Sequence, residues 1–183
     1  AGNEGLTDQD KRVGKISHDM GRAMVIAVNK WDLVEPPNGK PRQKSDEKKA
    51  LEKVIRDEHP EIKYAQIAFT SAQEGAGLEP ILDAVRSAVD QWSFRIGTGA
   101  LNKLIQEAAF SRPYTSKGRI LKIYYSTQVS VRPPTFLLFC NDPELMHFSY
   151  KRYLENQIRK AYPLPGTPIR VIARSSHKDQ EDD

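Results

Sequence analysis

Ala23-Met24-Val25-Ile26-Ala27-Val28 is an unbroken apolar run, and it passes directly into Asn29-Lys30-Trp31-Asp32. A continuous apolar run of this length, bounded by polar residues, reads as a strand buried on both faces, as in parallel sheets covered by helices. Upstream, Thr7 is placed to cap a helix, with Asp8 and Asp10 in its first turn and Val13 and Ile16 on one stripe. Downstream, Pro36-Pro37-Asn38-Gly39-Lys40-Pro41 is too rich in Pro and Gly for regular structure. Ser45 then offers a cap for a helix with Leu51, Val54 and Ile55 as its apolar positions. Residues 65–69 read as a second strand, ending in Thr70-Ser71-Ala72. A further helix carries Leu78, Ile81, Leu82, Val85, Val89 and Trp92 at spacings of three and four. Helix, strand, helix, strand, helix implies an α/β fold whose parallel strands are joined by crossovers.

In open parallel sheets ligands bind beyond the carboxyl ends of the strands, where both polar motifs stand. Asp32 can accept the ring N–H and the exocyclic amino group of guanine, a pair that adenine does not present. The amide of Asn29 can serve the base and the neighbouring loops, and the stem of Lys30 can lie over the ring plane. The backbone N–H of Ala72 is expected to face the guanine carbonyl, with Ser71 bracing the loop around Asp32. A polar turn after a strand is the plainer reading of Asn-Lys-x-Asp alone, and the second motif in the right order favours a guanine clamp.

The chain has 183 residues, 38% hydrophobic and 28% charged, which suits one or two globular domains. No apolar stretch approaches the roughly 20 residues that span a bilayer, and no basic-then-apolar leader opens the chain. The single cysteine, Cys140, lies within Phe136-Leu137-Leu138-Phe139-Cys140, so it reads as a buried strand thiol rather than a nucleophile. These features point to a cytoplasmic protein with no membrane partner. The four histidines, His18, His59, His147 and His177, have no ligand spacing, and no metal site is expected. Ala1-Gly2-Asn3-Glu4-Gly5 reads as the middle of something longer.

Charge divides the chain. Residues 1–98 carry 15 Lys and Arg against 16 Asp and Glu, whereas residues 99–178 carry 13 against 4. The basic half is either a footprint for a polyanion or a means of keeping a small domain soluble. Residues 175–183 form an acidic tail expected to be disordered. Between them, residues 99–174 read as helix, strand, strand, helix, strand. Leu101, Leu104, Ile105 and Ala108 make one helical stripe, residues 119–129 and 134–140 make two strands, and Asp142-Pro143 opens a long helix. Residues 168–173 give the last strand. Arg112, Lys117, Arg119 and Lys122 are candidates for one phosphate-contacting edge, and Lys151, Arg152, Arg159, Lys160, Arg170 and Arg174 for another. Tyr150 and Tyr153 invite a base-stacking reading, although their periodicity favours core packing.

Asn29-Lys30-Trp31-Asp32 and Thr70-Ser71-Ala72 resemble the base-recognition motifs of translation-factor-like GTPases. Gly5-Leu6-Thr7-Asp8-Gln9-Asp10, Arg112-Pro113, Tyr124-Tyr125, Arg132-Pro133-Pro134-Thr135-Phe136, Asn141-Asp142-Pro143-Glu144-Leu145 and Ser149-Tyr150-Lys151-Arg152-Tyr153-Leu154-Glu155-Asn156 extend the resemblance, in order, to the Der (EngA) family of bacterial GTPases. The resemblance implies two tandem GTPase domains, a following domain with KH-like topology, and a role in maturing the large ribosomal subunit. It makes residues 1–98 the later part of a P-loop GTPase fold and residues 99–174 an α+β KH-like domain of order αββαβ. It also implies GTP or GDP as ligand, Mg2+ in the parent protein, and ribosomal RNA and the parent's own GTPase domains as partners.

Two family features are missing from the sequence. Gly-x-x-x-x-Gly-Lys-Ser/Thr occurs nowhere, nor does the Asp-x-x-Gly loop that would meet the γ-phosphate and magnesium. The strands that would flank residues 23–28 are absent too, so a two-strand remnant should expose apolar faces. Nor does the basic half contain the Gly-x-x-Gly loop with which ordinary KH domains clamp RNA. Two functions stand at this level: a GTP-hydrolysing switch that controls docking on ribosomal RNA, or a non-enzymatic binding module with a vestigial guanine clamp.

Overall fold

The computed structural model describes residues 6–34, 44–116 and 118–176. The loop read at 36–41, Lys117 and residues 177–183 of the acidic tail lie outside this set. The chain divides into two compact units, Ala1–Trp92 with Pro165–Pro168, and Ser93–Leu164 with Ile169–Asp183. The division falls after Trp92, ahead of the boundary expected at residue 98, because Ser93 to Gly97 are held by the second unit. There the buried Gln128 side chain accepts from the Ile96 amide at 2.8 Å and donates to the Phe94 carbonyl at 2.9 Å.

The first unit runs α1 (Asp8–Asp19), β1 (Val25–Val28), α2 (Lys44–Glu58), β2 (Gln66–Phe69) and α3 (Leu78–Trp92). Helix α1 opens with a capping box: the Thr7 hydroxyl accepts from the Asp10 amide, and the Asp10 carboxylate accepts from the Thr7 amide at 3.0 Å. Those bonds hold the Asp10 carboxyl below its usual value. Strands β1 and β2 pair in parallel, with Val25 opposite Gln66 and Val28 opposite Phe69. The strand expected over 23–28 is shorter because the Met24 amide leaves the sheet to donate to the Gly166 carbonyl at 2.7 Å. Nor is β1 buried on both faces, since Val28 is buried and Ala27 exposed. Ser45 stands inside the first turn of α2, which starts at Lys44, so it is not the cap.

Val28, Trp31 and Ile55 form the closed core of this unit, packed by Leu6, Ile26, Val34, Leu51, Ile67 and Phe69. The remaining apolar stripes are open, as a two-strand sheet requires. Leu78, Leu82, Val85 and Val89 stand exposed along α3, and Val13 and Ile16 along α1. An open cavity of about 510 Å³ lies against β1, lined by Val13, Met24, Ile26, Leu51, Ile55 and Ile62 among others.

The second unit runs α4 (Thr98–Ser111), β3 (Thr115–Ser116), β4 (Arg119–Ile120), β5 (Ile123–Val131), β6 (Pro134–Cys140), α5 (Phe148–Ala161) and β7 (Arg170–Ser175). The single strand expected over 119–129 is broken in two. Arg119–Ile120 pairs back on Thr115–Ser116, and the buried Leu121 donates its amide to the Tyr114 carbonyl at 2.9 Å before β5 begins. The main sheet has the order β5-β6-β7, antiparallel between β5 and β6 and parallel between β6 and β7. The last strand lies two residues later than the expected 168–173, because residues up to Pro168 belong to the first unit.

Helices α4 and α5 close a core that includes Leu101, Ile105, Phe136, Leu138, Leu154 and Ile158. Cys140 is fully buried within it, and burial raises its thiol pKa, so it is the inert strand thiol expected. Helix α4 also satisfies the outer edge of β5. Asn102 donates to the Ser126 carbonyl at 2.7 Å and accepts from the Ser126 amide at 2.8 Å, while Gln106 donates to the Ile123 carbonyl at 2.8 Å. Among the described residues no helix is long and apolar enough to cross a membrane.

Candidate functional site

Parallel pairing brings the ends of β1 and β2 side by side, so Asn29 and Thr70 begin adjacent loops. The Thr70 amide donates to the Val28 carbonyl at 2.9 Å, and the Trp31 amide donates to the Thr70 carbonyl at 3.0 Å. This continues the ladder past the strands and fixes the spacing of the two motifs. Asn29 then stitches them by side chain: its Oδ1 accepts from the Ala72 amide at 3.1 Å and from the Thr70 hydroxyl at 3.3 Å. An acceptor that takes two donors from the second loop needs the short, planar Asn side chain at the strand end.

Lys30 has φ 60°, the left-handed region that a non-glycine residue occupies only under constraint. The constraint is Trp31. Its ring is buried in the core, edge-on to Phe69 with centroids 4.5 Å apart, and it starts a single helical turn, Trp31–Leu33. Lys30 and Asn29 stay exposed, and Asp32 is half-buried on that turn. The second loop is equally pinned. Ser71 and Ala76 exchange amide-to-carbonyl bonds of 2.9 and 3.0 Å, and Gly77 closes the loop at φ 78°, where a Cβ would stand 2.2 Å from the Phe69 carbonyl oxygen.

The five expected residues, Asn29, Lys30, Asp32, Ser71 and Ala72, therefore stand on two mutually hydrogen-bonded loops beyond the carboxyl ends of the strands. Ser71 acts within its own loop, its hydroxyl accepting from the Glu74 amide at 3.2 Å. The bonds joining that loop to the one around Asp32 come from Thr70 and from the Ala72 amide. The Ala72 amide, expected to face a ligand carbonyl, is engaged by the Asn29 side chain. Trp31, Thr70 and Gly77 are the positioning residues that reading by motif missed. The Gly75-Ala76-Gly77 triplet was the available signal, because two glycines so close mark a tight turn.

Nine of the ten cationic candidates of the second unit lie among the described residues. Arg119 is ion-paired to Asp142 at 2.7 Å. Arg174 lines a cavity with Asn141, Asp142 and Glu144. Arg112, assigned to one edge, lines a groove with Arg159 and Lys160, assigned to the other. Lys122, Lys151, Arg152 and Arg170 line neither. Tyr150 and Tyr153 are core and framework: Tyr150 is buried with its hydroxyl on the Arg112 carbonyl at 3.1 Å, and the Tyr153 hydroxyl donates to the Ala108 carbonyl at 2.9 Å. Among the described residues no group of three or more His, Cys, Asp or Glu is placed to hold a metal.

Residues 95–174 match the model of the KH-domain-like family of EngA bacterial GTPase enzymes, C-terminal. Over 173 residues the chain is 48% identical to GTPase Der of Alkaliphilus oremlandii (strain OhILAs), a match covering 94% of the chain and 38% of that protein. It is 46% identical over 174 residues to GTPase Der of Geobacillus sp. (strain WCH70), covering 93% of the chain and 38% of that protein. With GTPase Der of Staphylococcus carnosus (strain TM300) the identity is 47% over 172 residues, again 93% of the chain and 38% of the relative. The chain thus spans about 38% of the length of the curated relatives it matches. By this agreement across nearly its whole length, the chain belongs to the Der (EngA) family of bacterial GTPases.

Proposed function

We propose that this chain supplies the guanine-recognising half of a GTP-hydrolysing switch together with a KH-like domain that docks the switch on ribosomal RNA of the large subunit. The observation that carries the reading is the junction of Asn29 with Ala72 and Thr70 at the ends of two parallel strands. Asp32 accepts both N–H groups on one edge of guanine, Lys30 covers the ring, and the Ala72 amide meets the carbonyl. That pattern rejects adenine at two positions.

The chain contributes no phosphate chemistry. Its described residues offer no carboxylate cluster that fits Mg2+, and its sequence has no phosphate loop. Hydrolysis and the metal belong to the rest of the relatives' length, and the open stripes on α1 and α3, with the edge of β1 that no strand covers among the described residues, suit packing by that part of the parent's GTPase domain. Cytoplasmic localisation accords with a ribosomal partner.

The docking half is tested on the parent-length protein by sedimentation with large-subunit particles in GTP and in GDP. Charge reversal at Lys151, Arg170 and Arg174 is expected to lower association and its dependence on the nucleotide. Association unchanged by all three would remove the RNA assignment.

A further inference from the structure

We propose that the groove at the end of α4, against α5, is a binding site for single-stranded RNA, an inference that rests on the RNA reading above. The groove has a volume of about 550 Å³ and is lined by Arg112, Tyr153, Asn156, Gln157, Arg159 and Lys160. Tyr153, Asn156, Gln157 and Lys160 recur at spacings of three and four, which places them on one face of α5. None of the lining residues is acidic. The other basic cavity of this unit differs, because Asp142 and Glu144 line it beside Arg174. The first cavity therefore suits a polyanion better than the second.

Two of the three cations of the groove are positioned by contacts. The Arg112 guanidinium lies 5.2 Å from the Tyr153 ring centroid, and the Tyr153 ring is held by its hydroxyl on Ala108. Arg159 donates to the carbonyls of Pro163 and Leu164, each at 3.4 Å. Lys160 is exposed at the last turn of α5. Complementing the helix dipole accounts for cations at Arg159 and Lys160 but for neither Arg112 nor the two amides. Asn156 and Gln157 each offer a donor and an acceptor, as a base edge requires and a phosphate does not.

The second observation is Phe110, on the last turn of α4 and two residues before Arg112, with 89% of its surface exposed. Phe110 does not line the groove but stands two residues along the chain from Arg112, which does; an exposed ring with neighbouring cations is the pairing used for single strands, in which phosphates follow the charge and an unstacked base covers the ring. A-form duplex, with its bases already stacked, has no use for the ring. The site therefore selects unpaired RNA without a Gly-x-x-Gly loop.

The test measures binding of the full chain to a fluorescein-labelled 12-nucleotide oligouridylate and to a duplex RNA of equal length across a salt series. Phe110→Ser is expected to weaken the single strand about 5- to 100-fold and leave the duplex within about twofold, from the usual contribution of one stacked base. Lys160→Gln is expected to reduce the slope of log affinity against log salt by about 0.7, the value for one phosphate of a single strand. Both side chains are exposed, so circular dichroism should match the parent's. Wild-type binding by both variants, or equal loss on both RNAs, overturns the groove. If the oligouridylate is unaffected while Lys151, Arg170 and Arg174 reversals abolish particle association, the groove fails and the wider RNA reading stands. Loss of binding to the parent's GTPase domains alone would make the surface a protein interface and equally overturn it.

Discussion

In the second unit the outer edge of β5 is capped by Asn102 and Gln106 of α4, and two helices close over a core in which Phe136, Leu138, Leu154 and Ile158 are fully buried. In the first unit, among the described residues, β1 pairs only with β2, and the apolar stripe of α3 faces solvent. The same principle, burial of an amphipathic face, is satisfied in one region and left open in the other. The open region nevertheless holds the two loops of the candidate site firmly, because the bonds that shape them run between β1, β2 and their own loops. Site geometry and domain closure are separable here.

The contrast is broken most severely at the core. Phe136→Ala is expected to cost the second unit about 3–5 kcal/mol, whereas Leu82→Ala on the open stripe should change stability by about 0.5 kcal/mol or less, both read by denaturant unfolding. Comparable losses would mean that α3 is covered after all. Gly77→Ala places a Cβ against the Phe69 carbonyl at a positive φ, and a cost of about 1–3 kcal/mol is expected, with loss of amide-exchange protection at Ala76 and Ser71. Asn102→Ala leaves both backbone groups of Ser126 without their partner. About 1–3 kcal/mol is expected, together with faster exchange at the Ser126 amide.

The smallest expected effects are opposed in pH. Capping bonds lower the Asp10 pKa, so its contribution is present above the unfolded carboxylate pKa and is lost as pH falls through the folded one. Burial raises that of Glu155, so its contribution is present below the unfolded pKa and is lost as pH rises through the folded one. Asp10→Asn should therefore destabilise the first unit more at neutral pH than in acid. Glu155→Gln should raise the thermal midpoint of the second more at neutral pH than in acid. Equal effects at both ends of the range would contradict the assignment.

The elements most legible in the sequence were those whose signal is local. Thr7 and Asp10 announce a cap, and the stripe from Leu78 to Trp92 announces a helix, whichever surface later covers it. The placement of Asn29, Lys30, Asp32 and Ala72 beyond two strand ends was legible because an apolar run passes directly into each motif. Less legible was whatever a distant residue decides. Gly166 takes the Met24 amide and shortens β1, Trp31 fixes the left-handed Lys30, and Tyr114 turns Leu121 out of a longer strand. The groove was missed for the same reason: Arg112 and Lys160 lie far apart in sequence, and only the packing of α4 against α5 lines one cavity with both.

The central claim is base recognition by the loops joined through Asn29, and its most direct test exchanges the acceptor on which guanine depends. In the parent-length protein, nucleotide binding is titrated calorimetrically with GDP, ADP and xanthosine diphosphate for wild type and Asp32→Asn. Asn presents a donor where guanine needs an acceptor, so the variant is expected to lose one GDP site and gain one for xanthosine diphosphate, with ADP bound by neither protein. A GDP titration identical to wild type would contradict the account.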